Sequence, residues 1–325
     1  MQQKRIAGID VSKHTLDVCI KPSDTTFQIT NDPKGFRRLK TAIGSVENVL
    51  VIMEHTGLYS LRLERFLKSK SIGFCKIPAL QIKRSMGVTR GKTDAIDAGR
   101  IAEYGWLRRE QLVATELPAE NLLQLRQLLS LRAMLVRDRA GYICRLKEMK
   151  AVGGCQPSDT IARVKKEVIK TLTVQIKKME ADIHELIGTD QQLRQTFELL
   201  RSIKGVGMII AAYMIAFTEN FKRFSDARKF NCYAGLAPFK YESGISIKGR
   251  SRVSHLANKE LKTLLNLGAF CAIRYNTELK QYYQLRVANG KRKMDCINII
   301  RSKIVARMFA VVKRQSPYQE LPIAA

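Results

Sequence analysis

Acidic residues are scarce in this chain. Its 325 residues include 29 Asp and Glu against 57 Lys and Arg, a formal charge of +28. So large a surplus points to a polyanionic partner, and without a membrane signal that polyanion is nucleic acid. Long apolar runs are missing too. The longest, Val206 to Phe217, falls short of the ~20 residues a membrane span requires. The opening residues, MQQKRIAGID, lack the apolar stretch of a secretion signal. Cysteine is sparse and irregular: seven residues, an odd number, with none in CxxC spacing. That argues against a disulfide framework and a zinc site, and it fits a reducing cytoplasm. The four histidines, His14, His55, His184 and His255, are too dispersed for a metal cluster. No Gly-x-x-x-x-Gly-Lys phosphate loop is present, so no ATP dependence is indicated. An apolar share of 45% suffices for a packed core and excludes wholesale disorder.

The basic charge is unevenly placed. Residues 1–150 hold 27 basic and 15 acidic side chains, residues 151–200 hold 7 of each, and residues 201–325 hold 23 and 7. Two basic ends flank a neutral middle, which suggests that the ends meet phosphate and the middle meets protein. The expected division is 1–112, 113–195 and 196–325.

The first part reads as α/β. Short apolar runs at Arg5–Val11, Thr15–Ile20 and Thr25–Thr30 are expected strands, the first two joined by a tight turn at Ser12-Lys13-His14. Asp32-Pro33 opens a helix to about Ile43. Asn48–Met53 is the most apolar strand and is expected to be central, and Ile72–Ile77 is a fifth. Gly57 to about Ser69 has helical spacing. The pattern describes a mixed sheet with helices packed on it. The middle reads as two long helices, about Pro118–Val152 and Ile161–Ile187, broken by Gly153-Gly154-Cys155-Gln156-Pro157. They form a helical hairpin or coiled coil, either a spacer or an oligomerisation arm. The last part is expected to be mainly helical.

Four carboxylates suggest a metal site. Asp10 ends the first strand and Glu54 the central one, while Asp94 and Asp97 share a helix face at spacing i, i+3. Hard oxygen ligands of this kind suit Mg²⁺ or Mn²⁺, which can assist phosphodiester cleavage. Taken singly, each is equally a surface or capping acid. Asp17, mid-strand in the hairpin, is read as structural.

The last part offers three basic features. Ile203-Lys204-Gly205-Val206-Gly207 before an apolar helix resembles a helix-hairpin-helix element, in which Gly205 and Gly207 let backbone N–H groups approach a phosphate. A plain helix N-terminal turn is the other reading. Next, Tyr241-Glu242-Ser243-Gly244 is followed by Lys248, Arg250 and Arg252. A loop serine beside three cations can attack phosphate while the cations neutralise developing charge. Serine before glycine is also an ordinary turn residue. Finally, Lys291, Arg292 and Lys293 form a solvated run that can contact phosphate.

Six segments in order, GIDVSKHTLDV (8–18), MEHTGLY (53–59), KTDAIDA (92–98), IKGVG (203–207), AGLAPFKYESG (234–244) and ANGKRK (288–293), resemble the DEDD-type insertion-sequence transposases. That family also includes the Piv DNA invertase. The resemblance implies a RuvC-like, RNase H-type first domain whose acidic tetrad matches Asp10, Glu54, Asp94 and Asp97. It places a serine nucleophile at Ser243 in the basic C-terminal part. It further implies Mg²⁺ or Mn²⁺, a covalent phosphoserine–DNA link, and tetrad and serine meeting between subunits of a tetramer, within an expected homo-oligomer of dimer to tetramer size. Some members are guided by a structured RNA. Two alternatives stay open at this stage: a RuvC-like nuclease using activated water, and a non-catalytic nucleic-acid-binding protein.

Overall fold

A computed structural model of the protein describes residues 5–55, 57–87, 93–153, 159–244 and 247–320, the side chains of 247 and 248 excepted. The chain divides into two compact units, Met1–Leu117 and Pro118–Ala325.

The first unit opens with β1 (Arg5–Val11), β2 (Thr15–Lys21) and β3 (Thr25–Thr30), an antiparallel meander. Ser12 makes the first turn: its Oγ donates to the Thr15 carbonyl at 2.9 Å and accepts from the Thr15 N–H at 3.1 Å. Then follow α1 (Pro33–Ile43), β4 (Val49–Glu54), α2 (Leu61–Ser69), β5 (Gly73–Ile77), α3 (Ala79–Ser85) and α4 (Asp94–Leu107). Asp32 caps α1 by accepting from the Gly35 N–H at 2.8 Å, with Pro33 in the first turn, as that dipeptide demands. The expected helix from Gly57 begins only at Leu61. Gly57 has φ +72°, outside the helical region, so residues 57–60 are turn instead.

The sheet order is β3-β2-β1-β4-β5, with β1, β4 and β5 parallel. Alternation along the strands gives two apolar faces. Ile9, Val18, Val51 and Met53 pack with Phe36, Leu39, Leu63 and Leu67 of α1 and α2. Ile6, Leu50 and Ile52 pack with Ile101 and Tyr104 of α4. β1 meets α4 through Gly8, where a Cβ would stand 2.6 Å from the Ala102 Cα. Only a residue without a side chain permits that approach.

The second unit begins with α5 (Glu120–Ala151) and α6 (Thr160–Gly188), the expected long helices, tied by Arg132 donating to Glu180 at 2.6 Å. Next come α7 (Gln191–Arg201), α8 (Met208–Thr218), α9 (Ala227–Tyr233), β6 (Pro238–Ser243), β7 (Ile247–Val253), α10 (Lys259–Tyr275), α11 (Thr277–Ala288) and α12 (Lys293–Arg314). α8 is apolar on all sides and accordingly buried along nearly its whole length. Leu122, Leu125 and Leu129 of α5 and Ile183 and Ile187 of α6 share one core with α8, α10 and α12. Among the described residues no helix is long and apolar enough to cross a membrane.

Candidate active site

The carboxylates gather at one edge of the first unit. β1 and β4 run parallel, and their last registered pair is Ile9 with Met53. Asp10 and Glu54 come next on each strand, so both lie on the α4 face with Gly8 and Ile52. Asp94 and Asp97 occupy the first turn of α4, where acids favour the positive end of the helix dipole. Thr93 fixes that end by accepting from the Ile96 N–H at 3.2 Å.

Asp10 registers the result. Its carboxyl is pushed up to about 6, first by burial, then by the charges of Asp94, Asp97 and Glu54. Three acids from distant parts of the chain therefore bear on a fourth. Such an anionic cluster suits a divalent cation in both charge and donor chemistry. The side chains are not closed around one point: among the described residues no three His, Cys, Asp or Glu side chains could hold one ion as they stand. Asp97 Oδ1 instead accepts from Arg100 at 2.9 Å. Arg100, one turn along the same helix, was not singled out from the sequence, although i, i+3 spacing is the signal for it.

A pH dependence follows. Asp10 is an acid raised by folding, the reverse of the usual carboxylate case. Below pH 4 it is protonated in both states. Between about pH 4 and 6 the unfolded chain releases this proton first, so metal-free stability should fall across that window. Thermal melts in EDTA check this. Asp10→Asn should flatten the fall and melt higher than wild type at pH 7.5. An Asp10→Asn melting temperature below wild type there would contradict the electrostatic account.

Asp17 stands directly across from Asp10 in the β1–β2 ladder, but both its oxygens accept from Gln28 Nε2 at 3.1 Å. It is held structurally, as the sequence suggested.

In the second unit Ser243 is not on a loop, as expected, but ends β6 in a two-stranded hairpin with β7. It is exposed, and Gly244 follows with φ +55°. Phe239, Tyr241, Ile247 and Val253 give the two strands β-forming residues around that glycine turn. Arg250 and Arg252 lie on β7, and Arg250 donates to Asp295 at 3.2 Å. The side chain of Lys248 lies outside the described part. Lys291 and Arg292 are exposed in the link that follows the Asn289-Gly290 turn, and Lys293 opens α12. Arg250, Arg252 and Lys291 line a common cleft of about 950 Å³.

The IKGVG segment is indeed the turn between α7 and α8. Gly205, however, has φ +96°, and a Cβ there would stand 2.6 Å from the Gly268 carbonyl oxygen of α10. Its missing side chain lets the turn pack against α10. Gly207 is exposed with open space around it, while Lys204 pairs with Glu320 at 3.0 Å.

Two family models match the chain: one for DEDD transposases of the IS110 type, described as Transposase, over residues 7–149, and one described as Transposase IS116/IS110/IS902 family over residues 197–284. The chain belongs to the IS110 family of DEDD-type transposases. The first match contains Asp10, Glu54, Asp94 and Asp97, and the second contains Ser243. The transposase is similar to the pilin gene-inverting proteins of Moraxella bovis and Moraxella lacunata, 26% identical to each over 98% of both chains. It is also similar to the insertion element IS116 uncharacterized 44.8 kDa protein of Streptomyces clavuligerus, 22% identical over 97% of this chain and 96% of that one. These comparisons make the protein a DNA recombinase of the transposase class.

Proposed function

We propose that this transposase breaks and rejoins DNA strands through Ser243, with Asp10, Glu54, Asp94 and Asp97 as ligands for Mg²⁺ or Mn²⁺. Residues 1–112 then act as the RuvC-like catalytic part, 113–195 as the arm joining subunits, and 196–325 as the serine-bearing part. The observation that carries this reading is geometric: the parallel register of β1 and β4 sets Asp10 beside Glu54 on the sheet face covered by α4, whose first turn bears Asp94 and Asp97. A protein that only bound phosphate would gain nothing from four converging carboxylates. A divalent cation there would supply positive charge against the scissile phosphate.

Ser243 Oγ forms a bond to phosphorus and loses its proton, while the scissile P–O bond breaks and the departing sugar oxygen takes a proton up. The protein stays joined to one DNA end. A second attack, by a sugar hydroxyl on that phosphoserine, releases Ser243 and reseals the strand. Bond energy is conserved, which agrees with the absence of an ATP-binding motif. The arm reading is supported by exposed apolar side chains along the hairpin, Met134, Val164 and Val174.

Asp10→Asn and Glu54→Gln test the metal role, since each keeps its size and loses its charge. Strand cleavage in Mg²⁺ should fall by roughly 10³-fold or more, with circular dichroism unchanged. Full cleavage by either variant would remove that residue from the site.

A further inference from the structure

The cleft between β7, α10 and α12 contains a cation that the catalytic reading does not use. Arg301 of α12 lines it and is only 5% exposed. Its guanidinium donates to Asn266 Oδ1 at 2.6 Å and to Asn298 Oδ1 at 3.3 Å, and its Nε is buried without a partner. Two amide oxygens fix its orientation and leave its charge uncompensated. Lys262 of α10 lines the same cleft. Burial first, and then the charge of Arg301, hold its ammonium below the usual lysine range. The cleft's one carboxylate among the described lining residues, Asp295, is engaged by Arg250.

A buried guanidinium and a half-buried ammonium in one cleft repel each other, and burying an unpaired charge is costly. Such an arrangement is stable when an anion completes it. Arginine held in a fixed plane suits a phosphate, to which it can donate twice. The sequence hid this site because a buried arginine and a solvated one look alike in a basic segment.

We propose that Arg301 and Lys262 hold a backbone phosphate of the DNA substrate, as an anchoring subsite remote from the serine. The assignment rests on the reading above that this protein acts on DNA through Ser243. The cleft lies at the root of the hairpin, where Pro238 pairs with Val253, and Ser243 is at its tip. Five residues of strand span about 17 Å. The cleft therefore stands apart from the bond that Ser243 attacks. The subsite thus fixes strand register and takes no part in bond breaking.

Three variants test this by fluorescence anisotropy with a labelled 30-base-pair duplex, and in parallel with a labelled RNA hairpin, each across a salt series. Asn266→Asp places a carboxylate against Arg301, so the fold should be kept and its melting temperature should equal or exceed that of wild type. Lys262→Gln removes the second cation. Lys170→Gln, on the exposed face of α6, changes charge by the same amount elsewhere. Asn266→Asp and Lys262→Gln should each weaken duplex binding about tenfold at 150 mM salt. Lys262→Gln should also flatten the slope of log affinity against log salt by about 0.9. Lys170→Gln should do neither. Were Arg301 merely a clamp between α10 and α12, Asn266→Asp would bind duplex as Lys170→Gln does, and that result overturns the proposal. Loss confined to the RNA hairpin overturns its assignment to DNA. The same preparations are assayed for Mg²⁺-dependent cleavage. Wild-type cleavage with indifferent variants sinks the subsite alone, whereas no wild-type cleavage sinks the reading beneath it.

Discussion

Ser243→Ala is expected to lower strand joining by roughly 10⁴-fold or more, because loss of a nucleophile removes the reaction path and not one contact among many. DNA affinity should stay within about twofold of wild type, since an exposed, uncharged hydroxyl adds little to a charge-dominated interface. Ser243→Cys should retain slow activity through its thiolate. The hairpin itself should survive both changes: Ser243 is its last strand residue and is exposed, and the turn conformation belongs to Gly244. Of the neighbouring serines, Ser246 lies outside the described residues, and Ser251 and Ser254 have other surroundings. Ser251 lines the basic cleft, and Ser254 Oγ accepts from the Leu256 N–H at 3.1 Å. Recombination assayed beside anisotropy on the same samples separates the two effects. Equal loss of binding and joining would mean that Ser243 only contacts DNA.

Gly8→Ala is expected to damage both stability and chemistry although residue 8 is no ligand. The added methyl would overlap the Ala102 backbone, which belongs to a packed helix and cannot swing aside as a long side chain can. Overpacking of this kind costs about 1–3 kcal/mol and is relieved by backbone movement. The element that can move is α4, and its first turn carries Asp94 and Asp97. Cleavage should therefore fall by about 10²-fold or more, in keeping with the sensitivity of catalysis to ångström-scale misplacement. Gly99→Ala, on the same helix with open space around it, is the control and should stabilise by roughly 0.5–1 kcal/mol. If Gly8→Ala melted and cleaved like wild type, the close contact between β1 and α4 would not be what positions the tetrad.

Much of the first unit was legible because its signals are local. Short runs of apolar and β-forming residues mark β1 to β5, and Asp32-Pro33 marks the start of α1. Two acids directly after apolar strands mark where the ladder ends. Register could not be read, yet it is register that sets Asp10 beside Glu54. Nor could Gly8 be recognised as the point where α4 approaches, since the contact joins residues 8 and 102.

The second unit was less legible for physical reasons. All six residues of β6 are exposed. Phe239 and Tyr241 alternate with Lys240 and Glu242, but the run is short and Ser243 before Gly244 reads as a turn residue, so a loop is what the sequence suggests. Gly205 fits a phosphate-binding turn on sequence, but its space is filled by α10. α10, α11 and α12 were anticipated only as helical content. Their hydrophobic stripes are interrupted by cations, and whether Arg301 points inward depends on Asn266 and Asn298, 35 and 3 residues away.

The most direct measurement is to locate the bond between protein and DNA. Wild-type protein in Mg²⁺ is given a nicked duplex that loses a short fragment on cleavage, so that resealing is blocked. The products are denatured, digested, and the nucleotide-bearing peptide is identified by mass spectrometry. The account predicts a denaturation-resistant adduct whose nucleotide is carried on Ser243, absent in Ser243→Ala and absent in Asp10→Asn. Cut DNA with no adduct, or an adduct mapped to any other residue, would contradict it.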